Sequence, residues 1–155
     1  MTTPGARWTL ELYKDADGRC PYQRFIDGLD DATFAALDAA VEYVLTRHGI
    51  DLCSTEWMKP LGEGLYEFRI RHDAAEINAR FASEESATMP ARIPILLRVF
   101  CHFYGSKVVL LLSGYDKSDD PSPKRQQKEI AKARTHLTAW QERRKRETAR
   151  MKRGR

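Results

Sequence analysis

Residues 7–13 (RWTLELY) alternate Trp8, Leu10 and Leu12 with Thr9, Glu11 and Tyr13. A period of two with one apolar face predicts a strand. Asp15-Ala16-Asp17-Gly18 breaks it. Pro21 suits a first helical turn, and Tyr22, Phe25, Ile26 and Leu29 follow at helical spacing, so a short amphipathic helix is predicted. Asp30 or Asp31 caps a second helix whose buried stripe is Phe34, Leu37, Val41, Val44/Leu45 and His48, with Gly49 as its stop. The two helices form a hairpin.

The stretch 57–71 (WMKPLGEGLYEFRIR) predicts a short extended piece, a glycine-flanked turn and a strong strand. Residues 72–93 are polar and contain Met89-Pro90 and Ile93-Pro94, which predicts a long loop or flap. PILLRVFCHFY (94–104) and KVVLLLSGY (107–115), joined by Gly105-Ser106, predict a hairpin. Ser122 then caps a helix with Pro123 at its first position, and Ile130, Ala133, Leu137 and Trp140 give it an apolar stripe. Past residue 141 the chain (ERRKRETARMKRGR) loses its apolar anchors, so 142–155 is expected to be a disordered basic tail behind a domain at 1–141. The order β-α-α-(β)-β-β-β-α defines an α+β fold with a mostly antiparallel sheet.

Strand alternation sorts the side chains. Tyr66, Phe68 and Ile70 share one face, and Glu67, Arg69 and Arg71 the other. In the next strand Leu97, Val99, Cys101 and Phe103 oppose Arg98, Phe100, His102 and Tyr104. In the last, Val109, Leu111, Ser113 and Tyr115 share a face, and Lys117 continues that phase. One sheet face therefore buries apolar residues against the helices. The other gathers Arg69, Arg71, Arg98 and His102, with Tyr115 and Lys117 near its edge.

The chain has 155 residues, enough for one domain, with 42% hydrophobic and 31% charged residues. Its longest apolar runs, such as Val108–Leu112, are far too short for a bilayer helix, and the first 15 residues carry no apolar core of a secretory signal. Three cysteines (Cys20, Cys53, Cys101) are odd in number and unpaired in spacing, which excludes a disulfide scaffold and points to reduced thiols in the cytoplasm. The net charge of +4 is unevenly spread. Residues 124–155 hold 13 Lys/Arg against Glu129, Glu142 and Glu147, a balance of +10, leaving −6 on the first 123 residues. Such a segment is either a solubilising tail or a site for a polyanion or an acidic protein surface.

Three arginines from two strands suit RNA, because guanidinium groups grip phosphate bidentately and Phe100, Tyr104 or Tyr115 offers a stacking platform. They equally suit phosphodiester cleavage by a neighbouring 2′-hydroxyl, which needs a base, a proton donor and cations on the equatorial oxygens. The alternative is that Arg69 and Arg98 pair with Glu67, Asp73 or Glu76 as structure. His48, His72, His102 and His136 are scattered, so no metal-ligand spacing and no cofactor motif emerges. Gly62 and Gly64 read as turn glycines, not as a phosphate loop.

Three segments together resemble the RelE/ParE toxin superfamily, in its phage-derived HigB-like branch: KPLGEGLYEFRIR (59–71), ILLRVFCHFYGSKVVLLLSGYDK (95–117) and PSPKRQQKEIAKARTHLTAW (121–140). The family pattern falls on Lys59-Leu61, Gly64–Arg69, Arg98, Lys117 and Pro123…Glu129-Ile130…Ala133. The resemblance implies a small twisted sheet with two N-terminal helices and a C-terminal helix. It implies the toxin of a type II toxin–antitoxin system: a metal-independent endoribonuclease that cuts mRNA on the ribosome, arrests translation and is held by a small helix-turn-helix antitoxin. Carried onto this chain, Arg69 and Arg98 stabilise the transition state, Arg71, Lys59 and Lys117 hold phosphates, and His102 or Tyr115 supplies proton transfer or stacking. Two departures stand out: the 72–93 segment is long for the family, and Asp116-Lys117, with Asp119-Asp120 nearby, replaces a Lys-Lys pair. Related folds also serve as gyrase-targeting toxins, and a non-catalytic module binding nucleic acid or antitoxin is the other alternative.

Overall fold

The computed structural model describes residues 6–82 and 94–154. Five strands form one sheet in the order β1-β5-β4-β3-β2. They are β1 (Thr9–Leu12), β2 (Met58–Gly62), β3 (Leu65–Ile70), β4 (Leu97–Tyr104) and β5 (Val108–Asp116). β1 runs parallel to β5, and the other three pairings are antiparallel. The α+β class and the two N-terminal helices, α1 (Pro21–Asp27) and α2 (Asp31–Ala40), follow the sequence pattern. Asp30 caps α2 by accepting from the Thr33 amide at 2.7 Å.

The second helix differs from the expected single element. α2 passes through a π-helical segment, Val41–Leu45, into a last turn, α3 (Thr46–His48), and then a 3-10 segment, Gly49–Ser54. The wider π turn shifts the helical phase, so Val44 and Leu45 are both buried while His48 is exposed. Gly49 stops the helix, and with φ at +49° its missing Cβ leaves room for the Trp8 ring, whose Cε2 lies 2.1 Å from where a Cβ would stand.

Two cores sandwich the sheet. On one face Phe68, Ile70, Leu97, Val99, Cys101, Val109 and Leu111 pack against Leu37, Ala40, Val44 and Leu45 of the N-terminal helices. On the other, Leu65, Phe100, Leu110, Leu112 and Tyr115 pack against Ala133, Leu137 and Trp140 of α5 (Pro123–Arg153). Burying both faces explains why β4 and β5 are nearly continuous apolar runs.

Several expectations are corrected. The regular phase assigned to β5 is broken by a β-bulge: Cys101 pairs with Leu111 but Phe100 with Ser113, so Leu112 is the extra residue. Val109 and Leu111 therefore face the N-terminal helices, while Ser113 and Tyr115 turn to the α5 side. β1 does not bury Leu10 and Leu12, which stay 38% and 39% exposed; Tyr13, just past it, is buried instead. At this edge the chain needs only backbone pairing to β5, and Glu11 accepts from Tyr104 Oη at 2.6 Å and from Trp140 Nε1 at 3.2 Å. The proposed loop at 72–93 opens with α4 (Ala74–Ile77) and a π-helical turn, Asn78–Ala82, because Asp73 caps the Glu76 amide at 2.9 Å and Ile77 is buried. Residues 83–93, with Met89-Pro90, lie outside the described residues.

The basic segment expected to be disordered is helical to Arg153. Nucleation is the costly step of helix formation, and the docked turns up to Trp140 supply it, so each further residue adds a hydrogen bond cheaply. Arg143 then donates to the Lys14 carbonyl at 2.9 Å, and the Arg144 guanidinium lies 4.4 Å from the Tyr104 ring centroid and 5.0 Å from that of Trp140.

Candidate functional site

On the α5 face the strand register builds two cross-strand rows. Lys59 pairs with Glu67, Glu67 with Phe100 and Phe100 with Ser113; next to it Arg69 pairs with Arg98 and Arg98 with Tyr115. Arg71 lies just beyond β3 in the same phase. The Lys117 amide donates to Leu96 O at 2.8 Å, which ties Lys117 to the near end of β4. The bulge at Leu112 is what brings Tyr115 and Lys117 onto the face that carries the arginines.

At the centre is Glu67, fully buried. Its carboxylate accepts from Arg69 Nε at 2.9 Å and from Gln126 Nε2 of α5 at 3.2 Å, and stands 3.8 Å from Arg98 Nε. Arg98 is only 2% exposed, and its Nη1 donates to Leu97 O at 3.2 Å. Its Nε is buried with no hydrogen-bond partner among the described residues. The pairing of Arg69 and Arg98 with Glu67, one of the two readings open from the residues, is present. It leaves Arg69 at 22% side-chain exposure and Arg71 exposed, so these two reach solvent above the buried pair.

Two cations, Arg69 and Arg98, thus contact one buried carboxylate, and Arg71 and Lys117 stand close enough to act electrostatically on this group. Burial pulls the Arg98 guanidinium below its ordinary range, with Glu67 opposing and Arg69 and Arg71 adding to the effect. It still remains a cation at neutral pH. Burial, then Arg98, lowers the Lys117 ammonium, with Arg69 and Arg71 adding to the shift against Glu67. A site whose own charges repel in this way favours an anion. The acids of the following turn are engaged locally: Asp116 accepts from the Ser118 amide at 2.9 Å and Asp120 from the Ser122 amide at 3.1 Å. Hydrogen bonding from the Ser122 hydroxyl, then from its amide, holds the Asp120 carboxyl below its usual value.

The remaining expected residues are placed differently. His102 lies four residues along β4 from Arg98, about 13 Å away. Its Nδ1 is 2.7 Å from Gly64 O, and its ring packs edge-on to Trp140 at 5.4 Å and parallel to Tyr104 at 6.3 Å. This arrangement anchors the β2–β3 turn to α5. Tyr115 is next to Arg98 but 2% exposed; its ring stacks on Phe100 at 6.1 Å, and Arg125 covers it at 5.2 Å. Burial raises its phenol above the ordinary value, so it stays protonated at neutral pH and is a donor there, not a base. Lys59 is exposed on the outer strand, in line with Glu67.

Because β1 pairs only with Val108–Leu111, the second half of β5 is left beside a cleft of about 1100 Å³ between α1 and α5. Ser113, Tyr115 and Arg125 line it, and the Ser113 and Tyr115 hydroxyls are buried without a hydrogen-bond partner among the described residues. Sequence reasoning missed Gln126 and Arg125. Their only signal was a place in the first turns of a helix capped at Ser122, which does not reveal the strands that turn will meet. Among the described residues no three His, Cys, Asp or Glu side chains converge as a metal ion would need, and no helix is long and apolar enough to cross a membrane. The chain matches no protein-family model and no curated protein.

Proposed function

We propose that the chain is the toxin of a type II toxin–antitoxin pair with a RelE-like fold, acting as a metal-independent endoribonuclease on mRNA in the cytoplasm. The observation that carries this reading is the clustering of Arg69, Arg71, Arg98 and Lys117 at one sheet end with a single carboxylate, Glu67, held between Arg69 and Arg98, an excess of positive charge with Arg69 partly exposed and Arg71 exposed to solvent. The ribosome as the place of cleavage and a helix-turn-helix antitoxin as partner rest on the sequence resemblance.

In this reading the 2′-hydroxyl gives its proton to solvent water as its oxygen attacks the adjacent phosphorus, the P–O5′ bond breaks with the departing 5′-oxygen taking up a proton, and a 2′,3′-cyclic phosphate and a 5′-hydroxyl are left. Arg69 and Arg71 hold the equatorial oxygens as charge builds on them. Arg98 is a positioning residue: buried against Glu67, it fixes the carboxylate that orients Arg69 and adds its field from below. Lys117, an ammonium made more acidic by burial and its arginine neighbours, is the proton donor best suited to the departing 5′-oxygen. His102 has a packing role.

The test is cleavage of end-labelled RNA in a chelating buffer, with and without ribosomes, by wild type, Arg69→Ala, Arg71→Ala and Lys117→Ala. Cyclic-phosphate ends from wild type, with rates at least about 100-fold lower in Arg69→Ala, are expected, since one lost transition-state donor costs about that much. A folded wild type that binds RNA but produces no new ends under either condition would overturn the nuclease. A second reading, a non-catalytic binding module, is favoured by the burial of Arg98 and by the neutralisation of Arg69 by Glu67.

A further inference from the structure

The outer side of α5 carries a feature the sheet-end site does not use. Arg143, Arg146, Arg150 and Arg153 are spaced three, four and three residues apart, which places them within about 80° of the helix circumference. Lys124, Lys128 and Lys132, four apart, fall on the same side one helical run upstream, across the uncharged stretch 135–139. The residues that dock α5, Ala133, Leu137 and Trp140, lie on a different side. Lys124, Lys128, Lys132, Arg146, Arg150 and Arg153 are all exposed. In this set only Lys132, 3.5 Å from Glu129, and Arg143, bonded to Lys14 O, have partners among the described residues.

The partner's chemistry follows from what the stripe contains and lacks. Past Trp140 the one large apolar residue is Met151, so the helix has no apolar face for a lipid interface. The segment Glu142–Arg153 carries seven Lys/Arg against two Glu, and its stripe residues are arginine, the side chain that fits phosphate with two parallel bonds, while the upstream block is lysine, which meets phosphate as a point charge. The two cationic blocks are centred about 30 Å apart on a rigid helix. That spacing matches a stiff, uniformly charged rod, because a nucleic-acid duplex presents phosphates at a steady repeat along its length. We propose that the outer face of α5 is a docking surface for double-stranded RNA, gripping its backbone at both blocks. The choice of RNA over DNA rests on the ribonuclease reading; the two-block geometry does not.

Fluorescence anisotropy tests this with a 20-base-pair 2′-O-methyl RNA duplex, which keeps the A-form and removes the attacking hydroxyl. The competitors are the DNA duplex of the same sequence, the single strand and polyglutamate. Arg146→Gln/Arg150→Gln and Lys128→Gln/Lys132→Gln each remove two charges from the stripe. Lys145→Gln/Lys152→Gln removes two from elsewhere on the same helix, and circular dichroism verifies that helicity is kept. Each stripe pair is expected to flatten the slope of log K against log salt by about 2 and to weaken binding about tenfold or more at moderate salt, with little change in the off-stripe pair. Equal losses in all three pairs would reduce the effect to net charge and overturn the proposal. Loss from one block only would overturn the two-block geometry, and tighter binding of DNA, single strand or polyglutamate would overturn the assignment to duplex RNA. Absence of cleavage with docking intact would sink the ribonuclease reading alone.

Discussion

Replacing Glu67 by Gln keeps the volume and removes the charge at the centre of the cation cluster. Glu67 is fully buried and is the carboxylate 3.8 Å from Arg98 Nε, on a side chain 2% exposed. At an effective dielectric of about 20, a pair at that separation is worth about 4 kcal/mol. Removing one partner of a buried pair costs about 3–5 kcal/mol, because the other charge is left uncompensated. The Gln amide also turns donors toward the guanidinium of Arg69 and toward Gln126. The expected loss is therefore about 3–4 kcal/mol, which for a chain of this size lowers Tm by about 6–16 °C. Urea unfolding of wild type, Glu67→Gln, Arg98→Met and the double variant measures it as a cycle. Arg98→Met removes the buried cation as well, so the double variant is expected to recover about 2 kcal/mol or more relative to the additive sum. Arg69, partly exposed, turns to water in that background. A Glu67→Gln protein within about 1 kcal/mol of wild type, or a cycle that is additive, would refute the claim that Glu67 holds the cluster together.

Other consequences are measurable. Gly49→Ala combines a left-handed backbone, which costs about 1–3 kcal/mol for a side-chain-bearing residue, with a Cβ inside the Trp8 ring; a large fall in the urea midpoint with quenched or shifted Trp fluorescence is expected, and an unchanged midpoint would show that the Trp8 contact is dispensable. Trp140→Ala, which removes a buried ring and the bond to Glu11, should cost about 3–5 kcal/mol and lower the helix signal by circular dichroism as residues beyond 140 lose their anchor. Burial holds the His136 imidazole below its ordinary 6.5. Below that pH the unfolded chain binds the proton first, so wild type should lose stability as pH falls from about 6.5 toward the folded-state pKa, and His136→Gln should flatten the loss; equal slopes in the two proteins would refute it.

The parts of the fold legible in the sequence are those set by local periodicity. The helix of Tyr22, Phe25 and Ile26, the Asp30 cap, the β4–β5 hairpin and the Ser122-Pro123 start of α5 depend on neighbours within a few residues, and each sits where its pattern placed it. The alternation of Glu67, Arg69 and Arg71 against Phe68 and Ile70 put three of the charged residues on one face, since a strand's period of two needs no knowledge of the rest of the chain. That local rule failed at Leu112. A bulge inserts one residue to satisfy the curvature of a sheet packed on both sides, and nothing in KVVLLLSGY marks where it falls. Likewise 142–153 reads as a solvated tail by composition, yet it is helical because the turns before it are docked.

By itself, then, the sequence determined the α+β class, most of the elements, the arginine-bearing face of β3 and β4 and the excess of positive charge toward the C-terminus. Tertiary structure decided which charges meet: that Arg98 is buried on Glu67 while Arg69 and Arg71 reach solvent, that the bulge turns Tyr115 and Lys117 to the same side, and that His102 is committed to Gly64 and Trp140. The physical reason is range. Periodicity and capping act within about a turn or a pleat, whereas the fate of a buried charge depends on partners brought from 30 to 60 residues away, such as Arg98 and Gln126 on Glu67.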